Sequence, residues 1–551
     1  MSITLSRSSD PVAPPPQVLS PRQFESAGPA PDVAPPPPKP TPPPEPLSPP
    51  EPTPTAHRDR AIDLVRFACL VVVVILHSMM SSAVLGADGE VVPTVALSGT
   101  IGFTIASWFY QIMPLFFFIG GYAAISGWRR TRSKGGTWAD YLRARLRRLV
   151  IPVAVLIGGA GVGLSIASEL GTSPDLLAEA STRIGQPLWF LAVYVGLTCL
   201  VPLAVKFHET APRRTLAALA GAVIAVDGMV ALTGAEGLGY LNFLFVWPLI
   251  QQCGFVYADV IHRPVRRWAA VALIAAALAG LGMLVGLGVY SPNMLVNLNP
   301  PTGALVLLGL AQMGLLRLAH ARLTEIVNGG RDERTRLDRA RLWDRFITWG
   351  NTYGIQVYLW HMPIAITLIG GLGWAGGLLA GVPMGDSTSA GALVLPPIES
   401  MWWWMTRLPW LITVMGLAAL LAMAMAKVPF PGEERLARFG TAVAQIARDV
   451  LPSRGAESAT TARDGAELVA AAHDGAEQAI VGEGRARSER GFRAPVTRAL
   501  IAVVLAMGGI AIALLVGIAP LVWTVVSCAA LIASLVVAAS VRGPGHRETA
   551  S

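Results

Sequence analysis

The sequence predicts an all-α polytopic membrane protein with about twelve transmembrane helices. Of its 551 residues, 53% are apolar and 14% are charged, whereas charged residues make up about 25% of a typical soluble domain. Apolar runs of about 20 residues, the length that crosses a bilayer as a helix, recur along most of the chain. The lysines and arginines lie mainly in alternate connecting segments, which is the pattern that orients helices in a membrane.

The orientation of the predicted helices follows from the charges between the apolar runs. If the N-terminus is cytoplasmic, the segments on the opposite side carry a single basic residue, Arg183. Because cytoplasmic segments keep the excess of Lys and Arg, both termini are predicted to be cytoplasmic. The formal net charge of +8 is then a topology signal, and no nucleic-acid partner is expected. The apolar runs lie near 62–83, 101–127, 149–169, 187–205, 214–233, 240–258, 268–289, 302–319, 347–373, 406–426, 497–518 and 520–541.

The chain divides into five predicted segments. Residues 1–57 hold 20 of the 43 prolines and are predicted to form a disordered, proline-rich cytoplasmic tail. A ten-helix transmembrane domain is predicted over 58–427, and a charged, Ala- and Gly-rich cytoplasmic linker over 428–496. A two-helix transmembrane hairpin over 497–541 and a short cytoplasmic tail over 542–551 complete the chain.

The first predicted span carries three ionisable residues, Asp63, Arg66 and His77. Such side chains are costly inside a bilayer, and a functional site is their default interpretation. Since Arg66 and His77 are eleven positions apart, they share one helix face and differ in height by about 16 Å. We expect Arg66 near the cytoplasmic surface, within reach of Asp63 across one turn, and His77 near mid-membrane. A topology anchor at Arg66 and a packing role for His77 are the alternatives.

His361, in the stretch YGIQVYLWHMPIAI, lies deep in a later span at a depth close to that of His77. A buried imidazole without a neighbouring carboxylate is expected to be neutral, because a low dielectric disfavours the charged form. A neutral imidazole can accept a proton, which suits a general base acting on a hydroxyl.

A basic cluster precedes the third span. In YLRARLRRLVIP, Arg145 and Arg148 are one helical turn apart, and arginine side chains bind phosphate oxygens in a bidentate manner. The pair could bind an anionic cytosolic ligand, although a topology signal explains it as well. Side chains that could line a polar cavity, or simply bond between helices, are Asp63, Trp189, Asn242, Gln251 and His361.

Other chemistries have no sequence signal. No His, Cys, Asp or Glu residues stand at metal-ligand spacing, so no metal is expected, and no phosphate-binding or dinucleotide-binding fingerprint is present. The four cysteines fall in apolar runs without a CxxC motif, which favours neither a disulfide framework nor a thiolate site.

The order of four motifs resembles that of membrane acyltransferase family 3. The motifs are RFACLVVVVILH in the first span, then PLFFFIGGYAA, then RLRRLVIP, and YLWHMP in a late span. The resemblance covers roughly residues 58–427. It implies that His77 is the catalytic histidine with Arg66 as its motif partner, and that Arg145 and Arg148 mark the acyl-CoA side.

The resemblance also implies an activity. Members of the family move an acyl group, usually acetyl, from cytosolic acyl-CoA to a hydroxyl of an envelope glycan, a lipid or a metabolite. The chain is therefore expected to be an O-acyltransferase of the cell membrane, as in a bacterial plasma membrane, with acyl-CoA as co-substrate and no tightly bound cofactor. Its partners would be acyl-CoA, the hydroxyl-bearing acceptor and membrane lipids. Direct attack by the acceptor and transfer through an acylated His77 both stay open.

Two alternatives come from other functional classes. A proton-coupled secondary transporter would use His77 and His361 as a proton relay, with Asp227 as the one candidate acidic group for ion coupling. Transporters are often built from inverted repeats, and none is apparent in the sequence. A sensor or scaffold would instead use the proline-rich tail and the 428–496 segment as docking surfaces.

Overall fold

The computed structural model describes the membrane-spanning part of the chain. The described residues are 59–86, 90–264, 266–330, 335–382, 389–428 and 497–539, together with positions 438, 442 and 445. The predicted tails over 1–57 and 542–551, and nearly all of the predicted linker over 428–496, lie outside them.

Within these residues, twelve helical segments are long and apolar enough to cross a membrane. The predicted all-α polytopic fold with about twelve spans is therefore confirmed, while the assignment of its two sides stays a prediction. The helices are α1 (Arg60–Met80), α2 (Ile101–Tyr110), α3 (Met113–Ser133), α4 (Trp138–Glu169), α5 (Pro174–Gly185), α6 (Leu188–Thr210), α7 (Pro212–Thr233), a 3-10 helix (Glu236–Leu244), α8 (Val246–Val260), α9 (Arg267–Gly286), α10 (Gly303–Val327), α11 (Arg336–Leu379), α12 (Gly391–Val394), α13 (Met401–Met425), α14 (Thr497–Leu515) and α15 (Leu521–Ala539).

The first span ends earlier than its apolar run. Strand β1 (Ser81–Leu85) pairs antiparallel with β2 (Val91–Val95), so the chain leaves the helix at Met80 and forms a hairpin. Arg183 donates a hydrogen bond to the carbonyl of Thr94 over 3.1 Å. The single basic residue of the predicted outer segments is thus attached to this hairpin.

Helices α1 and α11 run in parallel at close approach, and this contact positions the site. A side chain at Gly350 would begin 2.5 Å from the ring of Phe67, so the missing Cβ lets the ring pack on the backbone of α11. His77 lies ten residues after Phe67, and His361 lies eleven residues after Gly350. Because both helices rise about 1.5 Å per residue, the two histidines reach the same height.

Helices α3 and α8 cross with their backbones in contact. A Cβ at Gly121 would lie 2.3 Å from the carbonyl oxygen of Gln251, and one at Gly254 would lie 2.1 Å from that of Phe118. The two glycines therefore allow the close approach that small residues provide between membrane helices.

Candidate active site

Two imidazole rings meet where the last turn of α1 packs against α11. Nδ1 of His77 lies 3.0 Å from Nε2 of His361, and the rings are nearly parallel, with an interplanar angle of 9°. His361 is fully buried, whereas His77 is partly exposed. The two histidines that the sequence places at similar depth therefore form a hydrogen-bonded pair.

The hydrogen bonds of the pair indicate which nitrogen carries each proton. Nδ1 of His361 faces the backbone carbonyl of Tyr358, which can only accept, so we assign a proton to this nitrogen. In a neutral ring, Nε2 of His361 is then an acceptor, and Nδ1 of His77 must donate to it. The remaining nitrogen, Nε2 of His77, keeps its lone pair.

Three arginines line one cavity beside this pair. The arginine cavity, lined by Arg66 of α1 and by Arg145 and Arg148 of α4, contains about 690 Å³ of empty space, part of it open to solvent. Apart from Asn351, its other walls are aromatic, aliphatic or glycine: Phe67, Leu70, Phe116, Leu149, Phe190, Leu191, Tyr194, Gly350, Ile355 and Tyr358. The predicted motif partner of His77 and the predicted arginine pair thus share one space.

Local sequence explains where the arginines of α4 point. Thr137 and Asp140 form a capping box that starts α4 well before its apolar run. Arg145 and Arg148 therefore lie on the same continuous helix as the membrane-spanning part. The guanidinium of Arg145 lies 5.3 Å from the ring centre of Tyr141. Nη2 of Arg145 occupies the space that a side chain at Gly127 would fill, 2.6 Å from the Cβ position. Arg148 donates to the carbonyl of Asn351 over 3.4 Å.

Tyr358 connects the arginine cavity with the histidine pair. It is a lining residue of the cavity, its carbonyl accepts a hydrogen bond from His361, and its hydroxyl donates to the carbonyl of Pro187 over 2.9 Å. Neither His77 nor His361 lines the arginine cavity. Tyr358 was not predicted, although its position one helical turn before His361 in YLWH could have identified it.

The remaining candidate residues lie outside the arginine cavity. Asn242 is fully buried and donates to Asp227 over 2.7 Å. Trp189 packs in an aromatic cluster, with its ring 6.1 Å from that of Trp247, and the backbone of Gln251 forms the α3–α8 crossing. Asp63 is half-buried on α1 but is not among the lining residues.

Comparison with known proteins agrees with the motif order. No curated protein and no solved structure shows a significant match to the chain. Residues 59–427 match the acyltransferase domain that defines acyltransferase family 3, which is two thirds of the chain and includes both histidines and all three arginines. The chain therefore belongs to membrane acyltransferase family 3.

Proposed function

We propose that this membrane acyltransferase moves an acyl group, acetyl in the simplest case, from cytosolic acyl-CoA to a hydroxyl of an envelope glycan, a lipid or a metabolite. One observation carries the proposal. The arginine cavity, with its three guanidinium groups, ends at Tyr358, whose carbonyl holds the hydrogen-bonded His77–His361 pair.

The negative charge of the acyl-CoA phosphates suggests where the acyl donor would bind. The phosphates of acyl-CoA are too polar to enter the hydrocarbon region, so they would stay with Arg145 and Arg148, whose forked donors fit phosphate oxygens. The pantetheine arm is thin and nearly uncharged, and it matches the aromatic and aliphatic walls of the arginine cavity. Since neither histidine lines the cavity, the proposal requires the cavity to lengthen past Tyr358 when acyl-CoA binds.

The chemistry would be centred on Nε2 of His77. This nitrogen would take the proton of the acceptor hydroxyl while the hydroxyl oxygen attacks the thioester carbonyl. The C–S bond would then break, and the proton would pass from His77 to the departing CoA sulfur. In the alternative route the same nitrogen would attack the thioester carbonyl, and the C–S bond would break with CoA leaving as its thiolate. The acceptor hydroxyl would then displace the imidazole from the acyl carbon, and its proton would pass to the CoA thiolate. His361 is a positioning residue in both routes, because it holds the Nδ1 proton of His77.

The test uses the purified full chain in lipid nanodiscs with labelled acetyl-CoA and a membrane extract as acceptor, scoring release of CoA thiol and transfer of label. We expect His77→Ala to abolish both signals, because it removes the proposed base. His262→Ala is the matched control, since His262 is exposed and remote from the pair in the sequence. Wild-type turnover in a folded His77→Ala protein would reject the mechanism.

A second pair of variants tests the positioning role of His361. His361→Gln keeps an oxygen that can accept from Nδ1 of His77, whereas His361→Leu removes the acceptor. We expect kcat to fall by about 10²-fold or more in His361→Leu and less in His361→Gln, with KM for acetyl-CoA nearly unchanged in both. An equal loss in the two variants, or a change confined to KM, would contradict the assigned role.

A further inference from the structure

Arg407 is an arginine within a membrane span that the proposed reaction does not use. It is half-buried on α13, between Trp403 one turn before it and Trp410 one turn after it, and both of these rings are buried. Met405 and Leu408, on the other face of the helix, are exposed. A basic side chain that only anchors its helix among lipid headgroups can do so from the exposed face. The position of Arg407 on the inward face therefore needs another explanation.

The charge of Arg407 is not cancelled by the residues that hold it. Its Nε donates to the carbonyl of Trp403 over 3.1 Å, and its Nη2 donates to the hydroxyl of Thr406 over 3.1 Å. The guanidinium lies 4.3 Å from the ring centre of Trp403. All of these partners are neutral, and Glu399, the nearest acidic residue along the chain, forms no ion pair with Arg407. Within the described part of the chain, Nη1 has no hydrogen-bond partner, so one edge of the guanidinium can bind an anion.

Arg407 and the arginine cavity lie on opposite sides of the histidine pair. The indole nitrogen of Trp410 donates to the carbonyl of Ser78 over 2.9 Å, and this residue directly follows the histidine of α1. Further along α13, Ala422 belongs to an apolar cluster with Trp349, which adjoins the lining of the arginine cavity on α11. Because a helix rises about 1.5 Å per residue, Arg407 and Ala422 are about 22 Å apart along α13. The level of the histidines falls between them.

This arrangement assigns the two ends of the site to different substrates. The phosphates of acyl-CoA would stay at the arginine cavity, so the acceptor would approach from the end that carries Arg407. A guanidinium donates two parallel hydrogen bonds to a phosphate or a carboxylate, and these are the groups that it binds most strongly. A phospholipid of the outer leaflet offers the same phosphate chemistry without being the acceptor, and the tests below separate the two sources.

We propose that Arg407 binds a phosphate or carboxylate group of the acceptor, so that the hydroxyl-bearing substrate is an anion. The inference rests on the proposed function and adds the charge of the acceptor to it. The bound anion would direct the acceptor hydroxyl toward His77 from the side opposite the arginine cavity.

The first test follows the charge of the product. The purified full chain in phosphatidylcholine nanodiscs receives labelled acetyl-CoA and a membrane extract, and the labelled product, freed of acetyl-CoA and acetate, is applied to an anion-exchange resin at neutral pH. We expect the resin to bind the labelled product. Arg407→Gln should raise the extract concentration for half-maximal transfer about tenfold, the effect of losing one hydrogen bond to a charged group. Arg407→Lys keeps the charge and should lose less.

The control for this test is Arg213→Gln, which removes an equal charge from an exposed position on α7 and should match the wild type. An uncharged labelled product would overturn the proposal. Unchanged transfer in Arg407→Gln, or an equal loss in Arg213→Gln, would overturn it as well.

The second test needs no turnover. Dodecyl glucuronide carries a carboxylate where dodecyl glucoside carries a hydroxymethyl group, and each is added to the chain in phosphatidylcholine nanodiscs without acetyl-CoA. We expect the glucuronide to raise the melting temperature more than the glucoside does, and Arg407→Gln to abolish this difference. Equal shifts in the wild type would indicate that a lipid phosphate already occupies Arg407 and would overturn the proposal. A charge-dependent shift in a protein that releases no CoA thiol would instead reject the proposed reaction and leave the anion site in place.

Discussion

At the scale of single residues, Arg145 owes its position to a glycine on another helix. Gly127 of α3 leaves open the space that Nη2 of Arg145 occupies. The neighbour that a new side chain would meet is the far end of a flexible arginine, so the fold can adapt while the guanidinium moves. A side chain at position 127 should therefore move the guanidinium of Arg145 with little effect on the stability of the protein.

We therefore expect Gly127→Ala to raise the apparent KM for acetyl-CoA by about tenfold, the effect of losing one hydrogen bond to a charged group. Its thermal stability should stay close to that of the wild type. Steady-state thiol release and a thermal melt of the same preparation check both statements. Gly221→Ala is the control, since a Cβ at Gly221 would meet no atom within 4 Å. An unchanged KM would show that Arg145 does not hold the donor.

The half-buried carboxylate of Asp227 has contacts that could not be predicted from the sequence. Its oxygens accept from Asn242 over 2.7 Å, from the hydroxyl of Tyr290 over 2.7 Å and from the backbone of Gly303 over 2.8 Å. A carboxylate held by three donors joins α7 to the start of α10. Its partners lie up to 76 positions away, so no local pattern could show that this candidate for ion coupling serves the packing.

At the scale of elements, apolar periodicity predicts the spans well and their ends less well. The apolar run 149–169 predicts the third span, but α4 begins at Trp138 because the capping box of Thr137 and Asp140 starts it in polar sequence. The first apolar run reaches 83, but the strand pairing of Ser81–Leu85 ends the helix before it. Apolar runs indicate which residues suit lipid, whereas caps and strand partners decide where a helix begins and ends.

The register of α1 against α11 could be predicted in part. The sequence places His77 and His361 at similar depth, but their pairing depends on which faces of the helices meet. The packing of the Phe67 ring on Gly350 decides which faces meet, and this contact joins positions 283 residues apart. When the neighbouring helices are unknown, a similar depth in the membrane does not show that two residues are in contact.

This contact gives the element-scale prediction. Gly350→Ala places a Cβ 2.5 Å from the ring of Phe67, and because a ring beside a helix axis cannot turn away, α1 must shift. Such overpacking costs about 1–3 kcal/mol of stability, and a displaced His77 should lower kcat about 10²-fold. Thermal melts and single-turnover rates are the measurements. Gly370→Ala on the same helix, where a Cβ would meet nothing within 4 Å, should match the wild type, and normal kcat in a destabilised Gly350→Ala protein would contradict the register argument.

At the scale of the whole molecule, the last two helices lie outside the family domain, yet the second of them, α15, packs against the helix that carries the arginine pair. The family match ends at 427, and α15 begins at Leu521. Gly161 of α4 meets the side chain of Thr524, with only 2.2 Å between its Cβ position and Oγ1. The sequence predicts this hairpin as an accessory pair, since its apolar stretches carry no ionisable group, and composition does not show which helix it would meet.

We expect Gly161→Ala to push α15 away from α4 and to disturb the arginine cavity at the other end of that helix. The displacement can be read from a cross-link, because a Cβ at Gly158 would lie 3.6 Å from Sγ of Cys528, a free thiol. Gly158→Cys should therefore form a disulfide with Cys528 under mild oxidation, and this bond should keep the two parts together after cleavage at a protease site introduced between 428 and 497. Adding Gly161→Ala should reduce the cross-linked fraction and raise the KM for acetyl-CoA.

Gly163→Ala on the same helix, with no atom within 4 Å of its Cβ, should change neither. A lost cross-link with an unchanged KM would show that the hairpin is attached to α4 without supporting the donor site.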